Sequence, residues 1–227
     1  MQVVILAGGL GTRLRPLTEK FPKPMAPIKG KPFLEYQLTL LKKNNLNNVI
    51  LCVGYLGEKI KDYFGNGEKM GMDIIYSKED RPLGTGGALK NAQHLLEKEF
   101  ILLYGDSFLD IDYQDVVKKF RALKKDGMSV IFENNPKIAH NNIEARENFE
   151  IVNYDKENED KCNYIEAGVH VFKKSILHFI PENSVFSLEE DVFPCLIRRR
   201  ELFAYPTGVR FYDIGTFERF ENFKKIL

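Results

Sequence analysis

Five apolar residues, Val3-Val4-Ile5-Leu6-Ala7, run without a break into Gly8-Gly9-Leu10-Gly11-Thr12-Arg13. A short continuous apolar run bounded by glycine is the pattern of a strand buried on both faces. A glycine-rich turn straight after it lets the backbone approach a ligand closely and offers amide groups as an anion nest. The opening residues therefore predict a parallel sheet whose strand ends face a ligand. The next hundred residues repeat the theme. Strands are expected at Asn48–Val53, Asp73–Tyr76 and Phe100–Tyr104. Between them, Pro32 at the first helical position opens a helix carrying Phe33, Leu34, Leu38 and Leu41 at helical period. Helices are also expected at Glu58–Phe64 and Ala88–Leu96. Alternating strand and helix at this spacing predicts an α/β fold, a mostly parallel sheet with helices on both faces.

The second half is less regular. Strands are expected at Met128–Glu133 and Val169–Phe172, with a strand-like stretch at Glu150–Tyr154 and a charged loop at Lys156–Lys161. Leu188–Arg200 reads as a helix, with Glu189, Glu190 and Asp191 in its first turns, where the helix dipole favours anions. Arg198-Arg199-Arg200 reads as its solvated end. Phe211-Tyr212-Asp213 ends a strand, and Thr216 is placed to cap a last helix, Phe217–Leu227. With no internal repeat or linker, one domain over residues 1–227 is expected, its C-terminal part forming a small lobe.

Composition excludes several classes. With 227 residues, 44% of them hydrophobic, the chain needs no disulfide or metal staple for its core. A net charge of +1 argues against coating nucleic acid by bulk charge. Cys52, Cys162 and Cys195 lack CxxC spacing and read as reduced thiols of a cytoplasmic protein; His94, His140, His170 and His178 share no metal spacing. The N-terminal apolar run is too short for a secretory signal or a membrane span.

Three motifs compete for the glycine loop. The dinucleotide fingerprint GxGxxG fails at Leu14, and the phosphate loop GxxxxGK[ST] fails because no lysine follows the last glycine. The third, GGxGTRL followed by Pro22-Lys23-Pro24, sets Arg13 and Lys23 near one anionic ligand. Two cations beside an amide nest suit a triphosphate better than a plain turn. Asp106, in Tyr104-Gly105-Asp106, and Asp213 each follow a strand. Ligands of open α/β sheets bind beyond the strands' carboxyl ends, where two carboxylates can hold a divalent cation through oxygen.

Leu6–Arg13 with Pro22-Lys23-Pro24-Met25 resembles the signature of the sugar-1-phosphate nucleotidylyltransferases. Further segments agree in order: Pro82-Leu83-Gly84-Thr85-Gly86-Gly87, Tyr104-Gly105-Asp106, Tyr164-Ile165-Glu166-Ala167-Gly168 and Phe211-Tyr212-Asp213-Ile214-Gly215-Thr216. The resemblance implies a Rossmann-like fold with a small sugar-binding lobe, residues 1–127 mainly for the nucleotide and 128–227 mainly for the sugar phosphate. It implies Mg²⁺ as cofactor and an NTP and a sugar 1-phosphate as partners, in a minimal monomer or homodimer serving cell-surface polysaccharide synthesis. The nucleotide would meet Leu6, Ala7, Gly8, Gly9, Gly11, Thr12, Arg13, Lys23, Glu79 and Gly84. Asp106 and Asp213 match the family's metal-binding aspartates, and Arg13, Lys23, Asp106 and Asp213 would form the catalytic set. Lys156 is the match for the lysine on the acceptor phosphate, Glu166 for the sugar-contacting glutamate, and Asn142 stands where the family usually has a glycine. Position 79 concerns the base: pyrimidine-using relatives often carry glutamine there, whereas an ionised glutamate offers only acceptors and suits guanine. GTP is favoured, heptose or mannose 1-phosphate being the nearest acceptors. UTP, CTP or dTTP enzymes stay open as alternatives, as does a non-catalytic nucleotide-sugar sensor.

Overall fold

Seven strands form the central sheet: β1 (Gln2–Leu6), β2 (Asn48–Val53), β3 (Asp73–Lys78), β4 (Glu99–Tyr104), β5 (Gly127–Phe132), β6 (Ile165–Lys173) and β7 (Leu202–Thr207). The computed structural model describes residues 1–135, 137–157 and 160–227. The strand order is β7-β5-β6-β4-β1-β2-β3. β1 lies parallel between β4 and β2, and β7 lies parallel to β5. β6 alone runs against both of its neighbours, β4 and β5. β1, β4 and β2 thus end at one edge of the sheet, and the loops after them meet there.

Side chains that alternate along each strand feed two cores. Val3, Ile5, Val49, Leu51, Ile101 and Leu103 point to one face, where they pack with Leu34, Leu38 and Leu41 of helix Phe33–Lys43 and with Val116 and Phe120 of helix Tyr113–Leu123. Val4, Ile50, Phe100 and Leu102 point to the other, against Leu89, Phe193 and Leu196. A third cluster joins Leu14, Ile28, Phe33, Ile214 and Phe223. There the ring of Phe223, on the last helix, meets that of Phe33 edge-on at 5.1 Å. Burying such a side chain stabilises by about 1.5–3 kcal/mol and helps to dock the helix. No helix among the described residues is long and apolar enough to cross a membrane.

Most expected elements are present with ends shifted by a residue or a few, and two expectations need correction. The helix expected at Ala88–Leu96 begins earlier, at Gly84, inside the glycine cluster, and gives way after Asn91 to a 3-10 turn, Gln93–Leu95. Gly84 sits at φ 74°, and a Cβ there would lie 2.6 Å from the carbonyl oxygen of Phe186. The cluster is needed because the Phe186 backbone rests directly on it, accepting from the N–H groups of Gly86 and Gly87. The helix expected at Leu188–Arg200 opens with a π-turn, Leu188–Val192, and only Phe193–Arg198 is α. Glu189, in the first turn as expected, is 7% exposed and points inward, to the hydroxyls of Thr85 and Tyr104. Helix Tyr113–Leu123, capped by Asp112, and edge strand β7 were not anticipated.

Candidate active site

The loops beyond β1 and β4 enclose a cleft of about 510 Å³. Leu6, Ala7, Gly8, Gly9, Gly11, Thr12, Arg13, Lys23, Glu79 and Gly84 all line it. Gly11 at φ 63° turns the chain into the short helix Thr12–Leu14. Leu14 is then fully buried in the third cluster, which is why position 14 cannot be the glycine of a dinucleotide fingerprint. A second cavity, of about 680 Å³, is lined by Asn142, Lys156, Glu166 and Asp213 among others. The two cavities share Arg13, Tyr104, Asp106, Glu189 and Gly215.

A two-stranded ladder joins the aspartates across the chain. Tyr212 pairs with Phe108 and Asp213 with Ser107, antiparallel, and the N–H of Ile214 donates to the Asp106 carbonyl at 3.0 Å. Each carboxylate faces a cation: Lys23 ion-pairs with Asp106, and Arg219 Nη1 donates to Asp213 at 2.9 Å. Asp213 also accepts from the Gly215 N–H at 2.7 Å. A Cβ on Gly215 would come 2.7 Å from Asp213 Oδ1 and 3.8 Å from Lys23 Nζ, so glycine keeps this corner open. Among the described residues no group of three or more His, Cys, Asp or Glu could hold a metal.

Glu79 continues β3 toward the first cleft, its N–H donating to the Val53 carbonyl at 2.9 Å. Its carboxylate lies against Gly8 and Gly54 and accepts from the Leu83 N–H at 3.3 Å. Burial raises its pKa, outweighing that hydrogen bond. On the second cavity, Asn142 Oδ1 accepts from the Glu166 N–H at 2.8 Å, and the Glu166 carboxylate accepts from the Gly168 N–H. Asn142 therefore fixes the Glu166 backbone. Behind Glu166 stands His170, fully buried, its Nδ1 2.8 Å from Ser129 Oγ and its Nε2 3.2 Å from Glu166 without hydrogen-bond alignment. Lys156 is exposed, with Nζ 5.6 Å from the centre of the Tyr154 ring. Every residue expected at the site lines one cavity or both.

Glu189, at both cavities, escaped the sequence reading, as did Arg219 beside Asp213. Glu189 accepts from the hydroxyls of Thr85 and Ser187, each at 2.8 Å, and of Tyr104. Burial opposes its charge, but the three hydroxyls hold its pKa below the usual carboxylate range. Ser187 and Glu190 stand at the spacing of a capping box, which marks the turn but not the direction of Glu189.

Residues 2–227 match the nucleotidyl transferase family. The chain belongs to that family. It is therefore an enzyme of the nucleotidyl-transfer class. It is 37% identical over 190 residues to D-glycero-alpha-D-manno-heptose 1-phosphate guanylyltransferase of Campylobacter jejuni, covering 84% of each chain. It is 32% identical over 228 residues to the enzyme of the same name from Aneurinibacillus thermoaerophilus, covering 100% of this chain and 98% of that one. Among solved structures it is similar to HddC from Yersinia pseudotuberculosis complexed with GMP-PN. The TM-score is 0.85 at 29% identity, covering 99% and 98% of the two chains. The α/β fold expected from the alternating pattern is the family's fold.

Proposed function

We propose that this chain transfers GMP from GTP to the phosphate of a heptose or related hexose 1-phosphate, releasing pyrophosphate and giving a GDP-sugar. The observation that carries the reading is the meeting of the two cavities at Arg13 and Asp106, with Lys23 beside Asp106 and Glu79 on the wall of the first. The guanylyltransferase relatives point the same way. The acceptor phosphate, with a second pKa near ~6, is largely dianionic at neutral pH and needs no general base. One of its oxygens bonds to the α-phosphorus as the bond from that phosphorus to pyrophosphate breaks, the electron pair leaving with pyrophosphate. Arg13 holds the leaving group with its fork, Lys23 the triphosphate, and Lys156 the acceptor phosphate. Glu166 accepts from a sugar hydroxyl. Glu79 offers carboxylate oxygens to the neighbouring N–H donors of guanine.

Asp106 and Asp213 fit Mg²⁺, as two carboxylates at an open corner. Bound there, Mg²⁺ would neutralise charge on the phosphates. We place the enzyme in the cytoplasm, on its three reduced cysteines, as a monomer or homodimer supplying nucleotide sugar for cell-surface polysaccharide.

The test is pyrophosphate release with Mg²⁺ and each of GTP, UTP, CTP, dTTP and ATP against a panel of sugar 1-phosphates. Release is expected only with both substrates present, because the acceptor phosphate is itself the nucleophile. GTP is expected to lead by about tenfold or more. Preference for another nucleotide refutes the base assignment. No release with any pair, while GTP still raises the melting temperature, favours a sensor.

A further inference from the structure

The residues assigned so far leave a buried anion at the centre of the site unused. Glu189 lines both cavities, yet its side chain is supplied from afar. Thr85 reaches it from the glycine cluster, Tyr104 from the end of β4, and Ser187 from the turn before the π-turn. The donors divide unevenly. Oε2 takes the hydroxyls of Thr85 and Ser187, whereas Oε1 takes one hydroxyl, that of Tyr104. Thr85 Oγ1 in turn accepts from the Leu188 N–H at 2.8 Å, which fixes the backbone next to Glu189. Holding a carboxylate ionised while 7% exposed is costly unless its lone pairs are used. Both cavities reach this carboxylate, and Oε1 carries the fewer hydroxyl donors.

We propose that Glu189 is a second sugar-binding carboxylate, accepting a hydrogen bond from a hydroxyl of the acceptor sugar and so helping to select that sugar. The inference rests on the nucleotidyl-transfer reading and adds a residue to its acceptor side. Thr85, Ser187 and Tyr104 are the positioning residues: they keep the carboxylate charged and aim Oε1. Because Thr85 belongs to the segment that also lines the nucleotide cleft, the acceptor and the nucleotide are held against one framework.

The experiment uses the full chain with saturating GTP and the heptose or hexose 1-phosphate that the wild type turns over fastest, together with its monodeoxy analogues. Glu189→Gln keeps the volume and removes the charge. It is expected to lower kcat/KM for the sugar phosphate by about tenfold or more, with KM for GTP within about twofold. A site built to bind a hydroxyl rejects the analogue that lacks it. One deoxy analogue should therefore cost the wild type about tenfold but E189Q less than about twofold. A merely structural role would lower activity toward every analogue alike. Equal deoxy penalties in both proteins, or a loss confined to GTP, overturns the proposal. If E189Q melts below the assay temperature, Ser187→Ala and Thr85→Val carry the test. Each frees the carboxylate from one donor and should blunt the same deoxy discrimination severalfold; unchanged discrimination in both overturns it. If the wild type turns over no pair, the proposed function itself fails and takes this inference with it.

Discussion

Gly8→Ala tests how Glu79 is held at the nucleotide cleft. A Cβ on residue 8 would stand 2.5 Å from Glu79 Oε1 and 3.2 Å from the Gly54 N. Ordinary contact begins at 3.4 Å, so the carboxylate must retreat by about 0.9 Å and the Gly54 backbone by a few tenths. Oε1 is the end of a side chain, and an off-rotamer shift costs about 0.5–1.5 kcal/mol. The fold should therefore survive, with a stability loss of about 1–2 kcal/mol. Function should suffer more. A misplacement of about 1 Å can cost up to about 100-fold, and a lost bidentate base contact about 1–3 kcal/mol of discrimination. KM for GTP should rise tenfold or more by these magnitudes, and the GTP-over-UTP ratio of kcat/KM should fall about 5- to 150-fold. Pyrophosphate release measures both, and a thermal melt checks the fold. Because the effect is routed through one carboxylate, the double variant Gly8→Ala/Glu79→Ala should discriminate no worse than Glu79→Ala alone. Wild-type base preference in G8A, alongside its loss in E79A, refutes the reasoning. So does full additivity in the double variant.

Asp106→Asn and Asp213→Asn should each lower kcat by at least about 100-fold while both variants stay folded by circular dichroism. Near-normal turnover of either at low magnesium would remove the aspartates from the metal site. Lys156→Ala should mainly raise KM for the sugar phosphate, and Lys23→Ala should weaken handling of the triphosphate. If both lose only nucleotide affinity, Lys156 is wrongly placed. Burial raises the Glu79 pKa in the folded state, so between the unfolded value and the raised one the folded chain keeps a proton that the unfolded chain has lost. Stability attributable to this group therefore falls as pH rises through that window. Glu79→Gln should raise the melting temperature at pH 7 relative to wild type and raise it less at pH 4; an equal difference at both would contradict the linkage.

Much of the sheet was legible because β1, β2 and β4 are buried on both faces and read as apolar runs. What the pattern missed has identifiable causes. Helix Tyr113–Leu123 carried its signal in plain form, with Asp112 at the cap and Tyr113, Val116, Val117 and Phe120 at helical spacing. It was obscured by charged neighbours, Lys118, Lys119 and Arg121, which face outward. Strand β7 contains Pro206, which argues against a central strand. Its place at the sheet's edge satisfies that argument, since proline's missing N–H is then tolerated.

The site divides along a similar line. Residues placed at the cavities by a strand end or a glycine turn, such as Arg13, Asp106 and Asp213, were visible because that placement follows from local position. Glu189 was not, because its environment is assembled from Thr85 and Tyr104, 104 and 85 residues away. A carboxylate in the first turn of a helix satisfies the dipole whether it faces solvent or protein. The choice is made by the Phe186 backbone resting on Gly84, Gly86 and Gly87, which brings Thr85 within hydrogen-bond reach and turns Glu189 inward. The glycines of that segment thus do two jobs at once. They admit a strand of backbone, and by admitting it they place an acceptor between the two cavities. A bulkier residue at position 86, where a Cβ would meet the Phe186 carbonyl oxygen at 3.0 Å, would push that backbone away. It should therefore disturb acceptor and nucleotide together, although residue 86 lines neither cavity.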